Sequence, residues 1–447
     1  MQTRKTYSQV AELARILALV VLGTGFMSIV PTASAQNANE PQLIDDSQLQ
    51  ALSTTVGGAS VLPTTRTIPH WWGSTLDPHN GITYGYNMVG ANPNTCSGSD
   101  CSVTIEADII PLIVNIAGLT FSGNDILAAT LASPQFALND YGTTPFATAS
   151  STSTTSVPRG AGGTLSQQDA GYHLQLQDAT MRAQFNKTGS STYHLILHAN
   201  VLPAVTINVP ANQGVLLQSG RGVVFADVNI SWWAAQMKNL NSTVGDPTHL
   251  PIYLSNSVLL HIGKNVLNCC VIGFHGTSPV GIGSGSADSN GNAKVQTFAW
   301  ASWVQPGIYA RPNGGTDWAL QDIHALSHEI AEWADDPFVN NTVEPWLTPT
   351  APQYGCTGVL ETGDPVVAIG FAMGTNTTEQ GPNPNGTQSA DGYYHPEDEV
   401  FLPWFMRLAP NTVSEPTQST SANVGRYTLM GDLNPFPGFR QPATGCN

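Results

Sequence analysis

The chain has 447 residues, with 31 acidic against 15 basic side chains, a net charge of −16 at pH 7 and only 10% charged residues. So acidic a chain repels phosphate backbones and anionic headgroups, which excludes nucleic acid and membrane surfaces as partners. With 43 Gly and 31 Pro among many Ser, Thr and Asn, the composition is that of a strand- and loop-rich exported protein rather than a helical one.

Arg4, Lys5 and Arg15 precede the apolar run ILALVVLGTGFMSIV and then PTASA, where Ala33-Ser34-Ala35 fits a small-x-small cleavage site. This order predicts a secretory signal over 1–35. The apolar run is short for a hydrocarbon core of about 30 Å, which argues against an anchor. After cleavage the chain is expected outside the cytoplasm, secreted or periplasmic, with no membrane partner. Residues 36–65 read as a polar, Pro-containing leader.

From there TIEADIIPLIVNIAGLTF (104–121) predicts one strand, β-branched and nearly alternating in its first half. The Ser/Thr/Gly stretch 150–166 is a linker or a large loop. QLQDATMRAQF (175–185) has helical spacing, with Leu176, Ala179, Ala183 and Phe185 as its apolar positions. Strands follow at YHLILHANVLPAVTINVP, GRGVVFADVNIS, LPIYLSNSVLLHIG, CCVIGFHG and KVQTFAWAS, with a short helix at WWAAQMKNL. Beyond residue 366 come VVAIGFAM, a Gly/Asn-rich run over 374–392, YYHPEDEVFLPWFMRL and a last strand at GRYTLMGD. Strand groups with one strong helix give an α+β, β-rich class. The expected division is 36–165, an N-terminal β-rich region, and 166–447, an α+β region with the metal site; the two can also form one domain.

All six cysteines lie after the signal, an even count that suggests disulfides in an oxidising compartment. Cys96 and Cys101 are expected to close a small loop. Cys269 and Cys270, as neighbours, are expected to reach instead to Cys356 and Cys446. No CxxC is present for a thiolate zinc site.

The longest helical pattern is DWALQDIHALSHEIAEWADDP, with Thr316 or Asp317 as its expected cap and Pro337 as its stop. At about 100° per residue Ala319, Ile323, Leu326, Ile330 and Trp333 share one face, while His324, His328 and Glu332 line up opposite, Asp335 and Asp336 a turn beyond. A solvated polar face is one reading. The other is a cation site, because stacked carboxylates with no Lys or Arg to pair repel one another, and imidazole with carboxylate suits zinc.

His328-Glu329-x-x-Glu332 is the zincin pattern HExxH with the second His replaced by Glu. On that pattern His328 and Glu332 are ligands and Glu329 is the general base that takes a proton from the attacking water. VLETGDPV supplies Glu361 and Asp364 as further ligands, with Asp336 and His324 competing. His275 and His395 are weaker candidates, since an isolated His is more often a hydrogen-bonded structural residue.

SHEIAEWADDP, with ETGD downstream and CVIGFHG upstream, resembles the exordium-like or phosphate-induced secreted proteins of plants and similar exported bacterial proteins. His328, Glu329, Glu332, Asp336-Pro337, Glu361, Gly363 and Asp364 match that pattern, and Cys270 and His275 match its upstream strand. The similarity covers roughly 265–370. Members often carry Cys shortly after the Gly-Asp, where this chain has Pro365. The resemblance implies an extracellular or cell-surface protein and leaves its chemistry open.

Three readings follow. One is a zinc-dependent hydrolase, peptidase-like, acting on a peptide. A second is a non-catalytic extracellular or cell-wall-associated protein with a structural metal site. A third is a carbohydrate- or cell-wall-binding module, suggested by Trp71-Trp72 and Trp232-Trp233.

Overall fold

A computed structural model describes residues 68–446, together with 54–56 and 59–61, apart from 141–146, 151–171, 189, 221, 245, 280–294, 310–321, 350–355, 368, 375, 377–392, 411–426, 432–433 and 435. The expected signal peptide, most of the leader, the 151–166 stretch and residues 317–321 of the expected helix lie outside the described residues. The class is mixed α+β and strand-rich. No helix among the described residues is long and apolar enough to cross a membrane.

The hairpin of β1 (His70–Leu76) and β2 (Thr83–Val89) precedes the longest strand, β3 (Ser102–Ile116). Strand β3 alternates throughout, but its apolar side changes midway. Ile105, Ala107 and Ile109 enter one core, while Ile110, Leu112, Val114 and Ile116 enter another on the opposite face. A strand whose two halves bury opposite faces must be covered on both sides, so β3 belongs at the centre of a sheet. The expected single strand ends at Ile116, where Ala117 and Gly118 both take positive φ and turn the chain into β4 (Leu119–Ser122).

Helix α1 (Asn124–Ala132) and helix α2 (Leu176–Gln184) follow, then β5 (His194–Val201) and β6 (Val205–Asn208), which both run parallel to β3. Strands β7 (Gly214–Gln218) and β8 (Val224–Asn229) lead into α3 (Ile230–Val244). Strand β9 (Leu250–Asn256) pairs parallel with β3 on its other side. The segments before and after 151–171 therefore share one sheet.

Strands β10 (Val258–His261) and β11 (Cys269–Val271) complete a four-stranded sheet in the order β7-β8-β10-β11. Strand β12 (Gly273–Pro279) and β13 (Val295–Trp303) complete the seven-stranded one, whose main path is β5-β3-β9-β13-β12. All its neighbours on that path are parallel except β12, which runs antiparallel to β13 with His275 opposite Ala299. Helix α3 covers one face through Trp233 and Met237. Helix α4 (His324–Asp335) covers the other through Leu326, Ile330 and Trp333. A third core, around Trp346, Trp404 and Phe405, gathers the C-terminal segments.

Three expectations need correction. Helix α4 starts at His324 rather than near Thr316, because Asp322 sits at positive φ and bridges back to Val304. Its end before Pro337 is as expected. The described part of GRYTLMGD, 427–431, forms an isolated bridge between Thr428 and Val400 followed by a turn rather than a strand. Among the cysteines, Cys96 joins Cys101 as expected, but Cys269 joins Cys270 and Cys356 joins Cys446. Strands β14 (Thr342–Leu347) and β15 (Cys356–Val359) form a hairpin, and Trp346 bridges Gly445, which brings Cys446 to Cys356.

Candidate metal centre

Every residue of α4 is buried, the polar ones included: His328 and Glu329 are 2% exposed and Glu332 is not exposed at all. The solvated-face reading is excluded. Three elements close over the polar side of the helix: strand β12 with His275, the turn 361–364, and the segment 395–399. Glycines permit the approach. A Cβ on Gly273 would meet the Glu329 carboxylate, and one on Gly363 would enter the His328 ring.

His328 is held from behind. Its Nδ1 lies 2.7 Å from Glu397 Oε2. A carboxylate only accepts, so Nδ1 carries a hydrogen, and Nε2 faces forward with a lone pair to offer once it gives up any proton of its own. Nε2 lies 3.1 Å from Glu332 Oε1, 3.8 Å from Asp364 Oδ1 and 3.9 Å from Glu329 Oε1. Glu397 is itself placed by its own N–H, which donates to Ser327 Oγ at 2.9 Å.

His275 repeats the arrangement. Its Nε2 is 3.2 Å from the Asp336 carbonyl oxygen, an obligate acceptor, so Nε2 carries a hydrogen and Nδ1 is the nitrogen that faces the acids. That Nδ1 lies 3.5 Å from Glu329 Oε2 and 3.6 Å from Glu332 Oε2. The Gly363 and Asp364 amides donate to Glu332 Oε1 at 3.2 and 3.3 Å, which ties the ETGD turn to the helix.

Two sets of ligand atoms converge to within 4.8 Å among the described residues: His328, Glu332 and Asp364, and His275, Glu329 and Glu332. Of the sequence-predicted ligands, His328, Glu332 and Asp364 come together, with Glu329 beside them. Glu361 is buried in the same turn but belongs to neither set. Asp336 accepts from the Asn340 and Asn341 amides and so fastens the chain after the helix. His395 pairs with Asp322 at 2.6 Å. His324 lies 3.1 Å from Glu397 and joins neither set.

The electrostatics follow from burial with an excess of acid. Burial pulls the His275 imidazole down, but Glu329 and Glu332 reverse this and raise it to about 10. His328 is raised in the same way by Glu332, Glu397 and Glu329. Burial works against the charge on Glu332, yet the two imidazoles hold it below the usual carboxylate range. Glu329 goes up, chiefly by burial, as do Asp364 and Glu399. The ion pairs of Glu329, Asp364 and Glu397 among the described residues are with imidazoles alone.

Several buried atoms here have no hydrogen-bond partner: His275 Nδ1, His328 Nε2, Glu329 Oε2 and Asp364 Oδ1. Stranding one such group costs about 1–3 kcal/mol, and more for a charged one. His328 Nε2 with Asp364 Oδ1, 3.8 Å apart, and His275 Nδ1 with Glu329 Oε2, 3.5 Å apart, each beside Glu332, fit a divalent cation. Neutral imidazole with carboxylate oxygen suits zinc, and a carboxylate behind the imidazole orients and strengthens it.

Sequence reasoning ranked His275 low and did not single out Glu397. The first had a signal in its place within the Cys- and His-containing run CVIGFHG. The second had none, since nothing in PEDE distinguishes one acid from the next. No protein family, no characterised protein and no solved structure matches this chain.

Proposed function

We propose that the protein is a metal-dependent hydrolase, peptidase-like, with a zincin-type helix carrying the HExxE motif. His328, Glu332 and Asp364 are its metal ligands and Glu329 its general base. The observation that carries this reading is the pairing of a three-ligand set with one further buried carboxylate whose Oε2 has no hydrogen-bond partner. Three protein ligands are the usual complement of a catalytic zinc, whereas structural sites are closed by four.

A zinc ion so placed supplies Lewis-acid polarisation of a carbonyl and acidifies water. The chain's own residues do the rest. Glu397 fixes the His328 tautomer and ring orientation. The Gly363 and Asp364 amides orient Glu332. Glu329, raised by burial, accepts a proton from water and returns it to the leaving amine. The expected signal over 1–35 and the exordium-like resemblance are the support for an exported setting, and the disulfides are compatible with it.

The test is Glu329→Gln. The variant is expected to keep the cation at His328 and its fold, and to lose hydrolysis of a peptide library by roughly 10²–10⁴-fold, the usual worth of a general base. Wild-type protein that holds zinc and cleaves no peptide sinks the reading.

One observation favours the structural-metal alternative: all the ligand residues are 0–5% exposed. In that case Glu329→Gln changes neither a reaction nor metal content. The carbohydrate-binding reading loses its platform, because Trp71 and Trp233 are core residues and only Trp72 of the two pairs is exposed.

A further inference from the structure

The second set, His275 with Glu329 and Glu332, is not a restatement of the first. It draws on strand β12, and its imidazole meets a different oxygen of Glu332 from the one nearest His328. The two oxygens of Glu332 divide between the imidazoles, Oε1 lying 3.1 Å from His328 Nε2 and Oε2 lying 3.6 Å from His275 Nδ1. Ligands held about 2.0–2.2 Å from a common zinc stand roughly 3–4 Å apart. His275 Nδ1 meets that spacing with Glu329 at 3.5 Å as well as His328 Nε2 does with Asp364 at 3.8 Å.

The second set also has its own orphaned atoms. His275 Nδ1, on a side chain with no exposed surface, and Glu329 Oε2 both lack a hydrogen-bond partner. The Asp336 carbonyl behind His275 plays the part that Glu397 plays behind His328: it takes the far N–H and turns the near lone pair inward.

We infer that the protein binds a second divalent transition-metal ion at His275 and Glu329, with Glu332 bridging it to the first. The two ions would lie about 3.5–4 Å apart, the spacing of known two-metal sites. The inference rests on the ligand assignment made for the hydrolase, and it adds a consequence. A filled second site turns Glu329 from base into ligand, so hydrolysis rises through the first metal equivalent and falls through the second.

The experiment is calorimetric titration of chelator-stripped full-length protein with Zn²⁺, metal content being checked after dialysis and repeated with Co²⁺ for its visible spectrum. Wild type is expected to take up two equivalents in two steps. His275→Ala should keep the first step and weaken the second by about 100-fold or more, beyond the 10–100-fold typical of residues behind a ligand. His275→Gln, which keeps the volume and can donate to the Asp336 carbonyl, gives the same result if the alanine variant folds poorly.

A single equivalent in wild type, or two retained in both His275 variants, overturns the second site and leaves the hydrolase reading standing. Uptake of two equivalents with no hydrolysis at any stage, the first equivalent included, sinks the hydrolase alone, and no tight metal sinks both. A rate that holds steady through the second equivalent overturns the switch in the role of Glu329.

Discussion

Helices α2 and α4 are both buried along their whole length, and both carry polar side chains inward. In α2 most of those groups find protein partners, Gln177 Nε2 being an exception. Asp178 accepts from the Leu195 amide at 3.0 Å and pairs with His194 at 2.8 Å, and Thr180 donates to the Leu176 carbonyl at 3.0 Å. Arg182 donates to the Ser191 and Tyr193 carbonyls, and Gln184 takes the Leu402 amide at 2.8 Å while donating to Asp335 at 2.6 Å. In α4 the first turns instead leave both His324 nitrogens, His328 Nε2 and Glu329 Oε2 without hydrogen bonds. Most polar groups buried for the fold are satisfied by the fold. A cluster of ligand-type groups buried together and unsatisfied points to something the chain must collect.

If that contrast is sound, the two helices respond differently to perturbation. The largest effect is expected from metal. Zinc at a thousandfold excess over its Kd should stabilise the protein by about 4 kcal/mol, read as a chelator-sensitive rise in Tm. A Tm indifferent to zinc and chelator breaks the comparison.

Next is Asp335, where the helices meet. Burial raises its carboxyl to about 7, against the Gln184 hydrogen bond, with Asp336 and Glu332 adding to the rise. A carboxyl raised on folding binds more protons native than unfolded, so stability falls as pH climbs from the unfolded value toward 7. Asp335→Asn is therefore expected to be neutral near pH 4 and stabilising at pH 8, by on the order of 4 kcal/mol at most. Denaturant melts at the two pH values check it, and a variant equally affected at both rejects the assignment.

Glu397→Gln should lower zinc affinity by about 10–100-fold, the usual cost of losing the partner behind a ligating His, with the far-UV spectrum unchanged. The smallest effect on the metal, none, is expected at α2. Asp178→Ala should cost about 1–3 kcal/mol of stability while zinc stoichiometry stays as in wild type. Loss of metal there would show that the helices do not divide their work as described.

The elements that carry the site were legible for physical reasons. The alternation of β3 and the 3.6-residue period through Leu326, Ile330 and Trp333 both record burial of a face, and both elements form. His328, Glu332 and Asp364 were legible because four-residue spacing on a helix is itself geometry, and a Gly-Asp turn between apolar runs has few places to go. Periodicity says nothing about tertiary closure. Hence the complete burial of the polar face, the approach of His275 from an edge strand and the backing by Glu397 from 69 residues downstream could not be read. The expected partners of Cys356 and Cys446 failed for the same reason: which thiols meet depends on how the tail returns to the β14–β15 hairpin.

Gly363 leaves one more lesson. Its backbone lies in an ordinary right-handed region, so nothing in its own conformation demands a glycine. The demand comes from the imidazole of His328, which fills the volume any side chain would need. A position with no functional group is thereby tied to the chemistry no less firmly than the histidine it faces, and a substitution scan would score as essential a residue that contributes nothing but empty space.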